Sequence, residues 1–176
     1  MVDVFRKNAA VASGVALLAS ALLLAASRPA KADGAVVYGY PFARECPAAG
    51  VADVVDRWKM DICNCTSYAA WALWANGQRV DWFIAGAMDA LNWPHVARLG
   101  ALRVGRLPRA GSVAVWPKLE PPFGHVAYVM GLERDGSFDV AEYNFPGAGG
   151  MRFAFDTRRH VDRTGAVFIY VPRRVS

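Results

Sequence analysis

Cysteine and histidine are both scarce, at three each in 176 residues. Three cysteines with no histidines clustered beside them do not supply four ligands at finger-like spacing, which argues against a structural zinc site. Charge is thin as well: Asp, Glu, Lys and Arg make up 20% of the chain against 55% hydrophobic residues. That balance argues against a disordered chain and leaves enough apolar surface for a core. Runs of like charge are missing too. The formal charge is +5, but Arg6, Lys7, Arg28 and Lys31 stand against Asp3 in the first 32 residues, and the remainder carries only +2. So weak and dispersed an excess does not make a phosphate-binding stripe, and no nucleic-acid partner is expected. There is no internal repeat, no low-complexity tract and, beyond residue 32, no apolar run long enough to cross a bilayer. The length suits one domain with at most a short appendage.

What is present begins with the leader. Arg6 and Lys7 precede an almost uncharged apolar stretch from Ala9 to Ala26, and Ala30-Lys31-Ala32 then places small residues where a signal peptidase reads. The pattern predicts a signal peptide over residues 1–32, cleaved after Ala32, and a single domain over residues 33–176; an uncleaved anchor is the alternative. No Cys follows the apolar run, which argues against a lipoprotein. Export to the periplasm or outside a bacterial cell would limit membrane contact to the leader. In an oxidising compartment cysteines tend to pair, and an odd count leaves one over. Cys63 and Cys65 are too close for an unstrained bridge, so Cys46–Cys63 is the pairing to test first, with three free thiols as the alternative.

Along the remaining chain, the spacing of Val51, Val54, Val55 and Trp58 suits a short helix over 51–60. The Ala-rich segment after Asn64, stopped by Asn76-Gly77, predicts a buried helix that begins at or near Cys65. Asp81 could cap a third helix running to about Leu91, broken by Trp93-Pro94. After Pro108 short β-prone runs take over: Val113 to Trp116, Gly124 to Met130, Ser137 to Asn144, Met151 to Phe155 and Ala166 to Val171. Arg134 to Ser137 reads as a hairpin turn. Helices followed by strands predict an α+β fold, with N-terminal helices packed on a C-terminal antiparallel sheet. The six tryptophans are read mostly as core.

A cysteine at a helix N-terminus sits among unpaired N–H groups at the positive end of the dipole. That effect, about 1 kcal/mol, is smaller than that of a neighbouring imidazolium, so a nucleophilic Cys65 requires a histidine. His95 lies in a Trp-Pro-His segment and His160 in a charged Arg158-Arg159-His160 stretch, both ordinary surface or loop settings. His125 opens an apolar strand behind Gly124, where a glycine permits close approach to a helix terminus. Glu142 and Asn144, at i and i+2, share one face of a strand. Either could hold the imidazole Nδ1–H; a solvent-facing polar pair is the plain alternative.

Taken in order, Asn64-Cys65-Thr66-Ser67-Tyr68, Trp93 with Ala97 and Gly100, Pro108-x-x-Gly111-x-Val113-Ala114-Val115-Trp116, Gly124-His125-Val126-Ala127 and Glu142-Tyr143-Asn144 resemble the CHAP domain. The resemblance extends over roughly Cys46 to Val171. It implies a papain-like cysteine- and histidine-dependent amidohydrolase or peptidase, of a family many of whose members cleave bacterial peptidoglycan. On this resemblance Cys65 is the nucleophile, His125 the general base, and Glu142 and Asn144 the orienting acid and amide. The implied partner is a peptidoglycan peptide, and the chain is expected to act as a monomer. Gly111 is followed by Ser112 where members often carry Asp. Asp53, Asp56 and Asp61 lack the spacing of the calcium loop found in some members, so no cofactor or metal is expected. A noncatalytic wall-binding or adaptor protein of the same fold, and an amidase acting on a small peptide conjugate, are the alternatives.

Overall fold

The computed structural model describes residues 35–46, 54–83, 88–147 and 152–175. The leader assigned to residues 1–32 lies outside them. Helix α1 runs Cys65–Ala75 and α2 runs Trp93–Leu99, the latter preceded by a 3-10 turn over Ala90–Asn92. The strands are β1 Arg103–Gly105, β2 Val113–Trp116, β3 His125–Leu132, β4 Phe138–Tyr143, β5 Phe155–Val161 and β6 Val167–Tyr170. They form one six-stranded sheet in the order β1-β6-β2-β3-β4-β5, and every neighbouring pair is antiparallel.

Strict alternation along the strands divides the apolar side chains between the two faces of the sheet. Val113, Val115, Val126, Tyr128, Ala141, Tyr143 and Ile169 join the larger core, to which α1 contributes Tyr68 to Leu73. Ala114, Ala127, Val129, Phe138, Val140 and Phe168 form a second cluster. Because both faces are apolar, the central strands read as nearly continuous hydrophobic runs.

Helix α1 begins at Cys65, as its sequence predicts, and ends at Asn76-Gly77, where Gly77 takes a φ of +71°. Thr66 through Leu73 are buried without interruption, as expected of a helix that is apolar on all sides. Tyr68 donates a hydrogen bond to the Val37 carbonyl at 2.7 Å. Its ring packs with Tyr40, Trp71, Tyr143 and Phe155, binding the N-terminal segment, helix and sheet together. Trp71, Trp82 and Trp93 are core residues, whereas Trp74 is exposed.

Three expectations need correction. The described part of 51–60 is not helical: Val55 pairs with Asp61 in an isolated antiparallel bridge around a turn. Asp56 closes that turn by accepting from the Trp58 and Met60 N–H groups, an alternative to helix that Asp side chains readily offer. The described residues between Asp81 and Leu91 contain no α-helix, and Trp93-Pro94 starts a helix instead of breaking one. Proline in the first turn lacks only an N–H that has no intrahelical acceptor. Finally, the strand expected to end at Phe155 begins there and runs through the Arg158-Arg159-His160 stretch.

Cys46 and Cys63 are bridged across a sequence separation of 17, and Cys65 is free. A loop of this size should contribute about 3 kcal/mol by restricting the unfolded chain. Urea unfolding of a Cys46→Ala/Cys63→Ala variant is expected to show that loss; an unchanged midpoint would remove the bridge from the account of stability.

Candidate active site

The turn before α1 is anchored on both sides of the free cysteine. Cys63 is tied by its bridge, and its N–H donates to the Tyr40 hydroxyl at 3.1 Å. That hydroxyl shares a 2.6 Å hydrogen bond with Ser67 Oγ, one residue from the end of the first turn. Asn64 is the N-cap, yet its side chain makes no capping bond. The first-turn N–H groups beside Cys65 are therefore left to other acceptors.

His125 is the first residue of β3, opposite Trp116 on β2. Gly124 before it adopts a φ of +76°, and a Cβ there would lie 2.7 Å from the Leu91 backbone nitrogen. A side chain at 124 would push the strand end away from the segment around Leu91, whose N–H donates to the Phe123 carbonyl at 2.8 Å. The His125 side chain is only 1% exposed, and its Nε2 lies 2.7 Å from Glu142 Oε2. The ring nitrogen engaged by the acid is thus Nε2 and not the Nδ1 expected from sequence, and the ring also interacts with the Cys65 side chain. Burial by itself disfavours a charged imidazole. The Cys65 charge and hydrogen bond, followed by those of Glu142, outweigh it and hold the His125 pKa at about 9.

Glu142 is fully buried. Burial alone would raise its pKa, but hydrogen bonds and charge from His125 and Arg158 hold the carboxyl below the ordinary glutamate range. Arg158 Nε donates to Oε1, and Nη2 to Oε2 at 3.1 Å. Sequence reasoning passed over Arg158 because it sits in a charged stretch with no local sign of a partner. The available signal was the buried acid itself, which needs a cation.

Asn144 does not join His125. Its φ of +52° breaks the alternation that would have aligned it with Glu142. Its Nδ2 donates instead to Asn64 Oδ1 at 2.6 Å, and its Oδ1 accepts from the Phe153 N–H at 3.1 Å. Cys65, His125 and Glu142 are brought together; Asn144 is connected to the residue before the cysteine. His95 is an exposed residue of α2, and His160 lies 3.7 Å from Asp135 on the exposed hairpin; neither belongs to this cluster.

Cys65 opens on a cleft of about 340 Å³ that also includes Asn64, Asn144, Asp61, Asp89 and a Glu120–Arg152 ion pair of 2.7 Å. A larger hollow of about 420 Å³ beside β1 and β6 has no cysteine, histidine or carboxylate in its lining. The smaller cleft is therefore the one that gives access to Cys65. Among the described residues no group of three or more His, Cys, Asp or Glu is placed to hold a metal. A thiol in contact with a cationic imidazole, beside a helix N-terminus, is equipped for nucleophilic attack on a carbonyl.

No curated protein matches the chain. The crystal structure of N-acetylmuramoyl-L-alanine amidase from Staphylococcus aureus is similar, with a TM-score of 0.50 and 22% identity over 62% of this chain and 30% of that one. This likeness is one of fold, and the chain matches less than a third of that protein's length. A structure of Ly7917 with the hydrolyzing product of MDP gives a TM-score of 0.40 and 18% identity over 61% of this chain and 53% of that one. The CHAP domain family model matches residues 55–144, which include Cys65, His125, Glu142 and Asn144 and make up just over half of the sequence; the chain belongs to the CHAP domain family.

Proposed function

We propose that the protein is an exported cysteine amidohydrolase that cleaves amide bonds in peptidoglycan peptides. The observation that carries this reading is the chain of interactions from Cys65, at the cleft, through the buried His125 to the buried Glu142. Membership of the CHAP family and the fold shared with an N-acetylmuramoyl-L-alanine amidase support the substrate class. The leader-like residues 1–32 and the Cys46–Cys63 bridge support export, since such bridges persist where thiols are not kept reduced.

In this mechanism the Cys65 sulfur, as thiolate, adds to the amide carbonyl, forming the C–S bond. Collapse of the tetrahedral intermediate breaks the C–N bond, and the His125 imidazolium gives its proton to the departing amine. Neutral His125 then takes a proton from water, which attacks the thioester and releases Cys65. Glu142 keeps the ring in one orientation through Nε2 and stabilises its charge.

The Cys65 backbone N–H supplies one oxyanion donor, and Asn64 is assigned the second. The Phe153 N–H fixes which end of the Asn144 amide donates, and Asn144 in turn occupies Asn64 Oδ1. Asn64 Nδ2 is thereby left for a substrate oxygen in the cleft that Asn64 and Cys65 share.

Cys65→Ser and His125→Ala are expected to lower turnover of defined muropeptides by at least about a thousandfold while the circular dichroism spectrum is retained. Full activity in either variant would refute the assignment, and mass analysis of the fragments identifies the bond cut. Activity should persist to about pH 9 and fall above it as His125 loses its proton. Glu142→Gln, by removing the charge that favours the imidazolium, should move this alkaline limb to lower pH, as read from kcat/KM against pH. Asn64→Ala should reduce kcat by about a hundredfold with little change in KM, the pattern of a lost oxyanion donor.

A further inference from the structure

We propose that Arg158 is a positioning residue of the reaction, clamping the Glu142 carboxylate so that Oε2 stays aimed at His125 Nε2. The inference rests on the reading of Cys65 and His125 as the reacting pair. Arg158 also lies beyond the residues matched by the family model.

A buried carboxylate has two oxygens to satisfy, and here Oε2 must serve His125. The guanidinium engages both oxygens at once, Nε on Oε1 and Nη2 on Oε2, a two-point contact that restricts rotation of the carboxylate plane. A lysine would bring the charge without the fork. The guanidinium is itself held in place: its central carbon lies 3.7 Å from the centre of the Phe145 ring and 5.4 Å from that of Trp116. The same two rings flank His125, at 5.4 Å and 6.1 Å between centroids. Phe145 and Trp116 therefore set the relative position of both cations that meet Glu142.

The charge balance gives Arg158 a second effect on the same residue. Removing Arg158 would leave the fully buried Glu142 with His125 alone to offset its charge. Among the described residues, the other titratable groups around Glu142 are Tyr68 from α1, His125 from β3 with Cys65 acting on it, the adjacent Tyr143, and Asp156, its register partner on β5. Of these only His125 can offset a carboxylate charge. Arg158 is 26% exposed at the open edge of β5, so it can be altered without emptying the core.

The test uses the full chain with Arg158→Gln, Arg158→Lys, Glu142→Gln and the Glu142→Gln/Arg158→Gln double variant. Cys65 labelling by iodoacetamide is measured from pH 4 to pH 9, with muropeptide turnover as a separate readout. As pH falls, protonation of Glu142 releases His125, so losing Arg158 should raise the midpoint of the acid limb by about one pH unit. Arg158→Lys should keep that midpoint and lose roughly three- to tenfold in rate, separating charge from fork geometry. In the Glu142→Gln background, Arg158→Gln should add no further change. A profile that superimposes on that of the unaltered protein, a loss of equal factor at every pH, or the same shift without Glu142 would each overturn the proposal. Should Arg158→Gln fail to fold, Arg158→Lys decides: a lower rate with the midpoint retained supports it, and no change overturns it. Labelling that responds as described while muropeptides are not cleaved would uphold the role of Arg158 and reject the proposed substrate.

Discussion

A carboxylate with no access to water, held between an imidazole and a guanidinium, is the constraint on which the site depends. Glu142 can remain ionised at the end of β4 only because His125 arrives from β3 on one side and Arg158 from β5 on the other. Three adjacent strands must be in register for this to occur. The sheet therefore does more than support the helix that carries the sulfur: its pairing across β3, β4 and β5 brings Glu142, His125 and Arg158 together, and the Glu142 charge adds to the larger effect of Cys65 in raising the His125 pKa. Breaking any one of these contacts leaves a buried charge uncompensated, a much larger penalty than losing an exposed ion pair.

The opposite side of the pair is held by different means. Cys65 stands at the start of a helix buried nearly all round, so its position is tied to the main core instead of to a mobile loop. The preceding turn is fixed by the Cys46–Cys63 bridge and by Tyr40, which reaches both the Cys63 N–H and Ser67. Gly124 lets the start of β3 approach the Leu91 backbone. The sulfur and the ring are thus located by separate rigid elements, which is how a reactive geometry is preorganised before a substrate binds.

Residues that act through local rules were readable in advance. An Ala-rich segment between Asn64 and Gly77, short β-prone apolar runs for β2, β3, β4 and β6, and the odd cysteine each have a short-range physical cause. Expectations departed where two local rules competed. Proline after Trp93 was compatible with both a break and a first helical turn, and packing of Trp93 in the core favoured the turn. Asn144 had the spacing of a strand residue, but its left-handed backbone redirects the amide to Asn64.

By itself the sequence determined where groups suited to such chemistry stand: a thiol at a helix start, a histidine behind a glycine, and an acid in an apolar strand. Spacing of apolar residues and turn chemistry act over a few positions and are visible in one dimension. Only the tertiary structure decided that Glu142 meets Nε2, that Asn144 serves Asn64, and that Arg158 completes the cluster. Those contacts join residues 16 to 80 positions apart, and they are selected by strand register and by the need to compensate a buried charge.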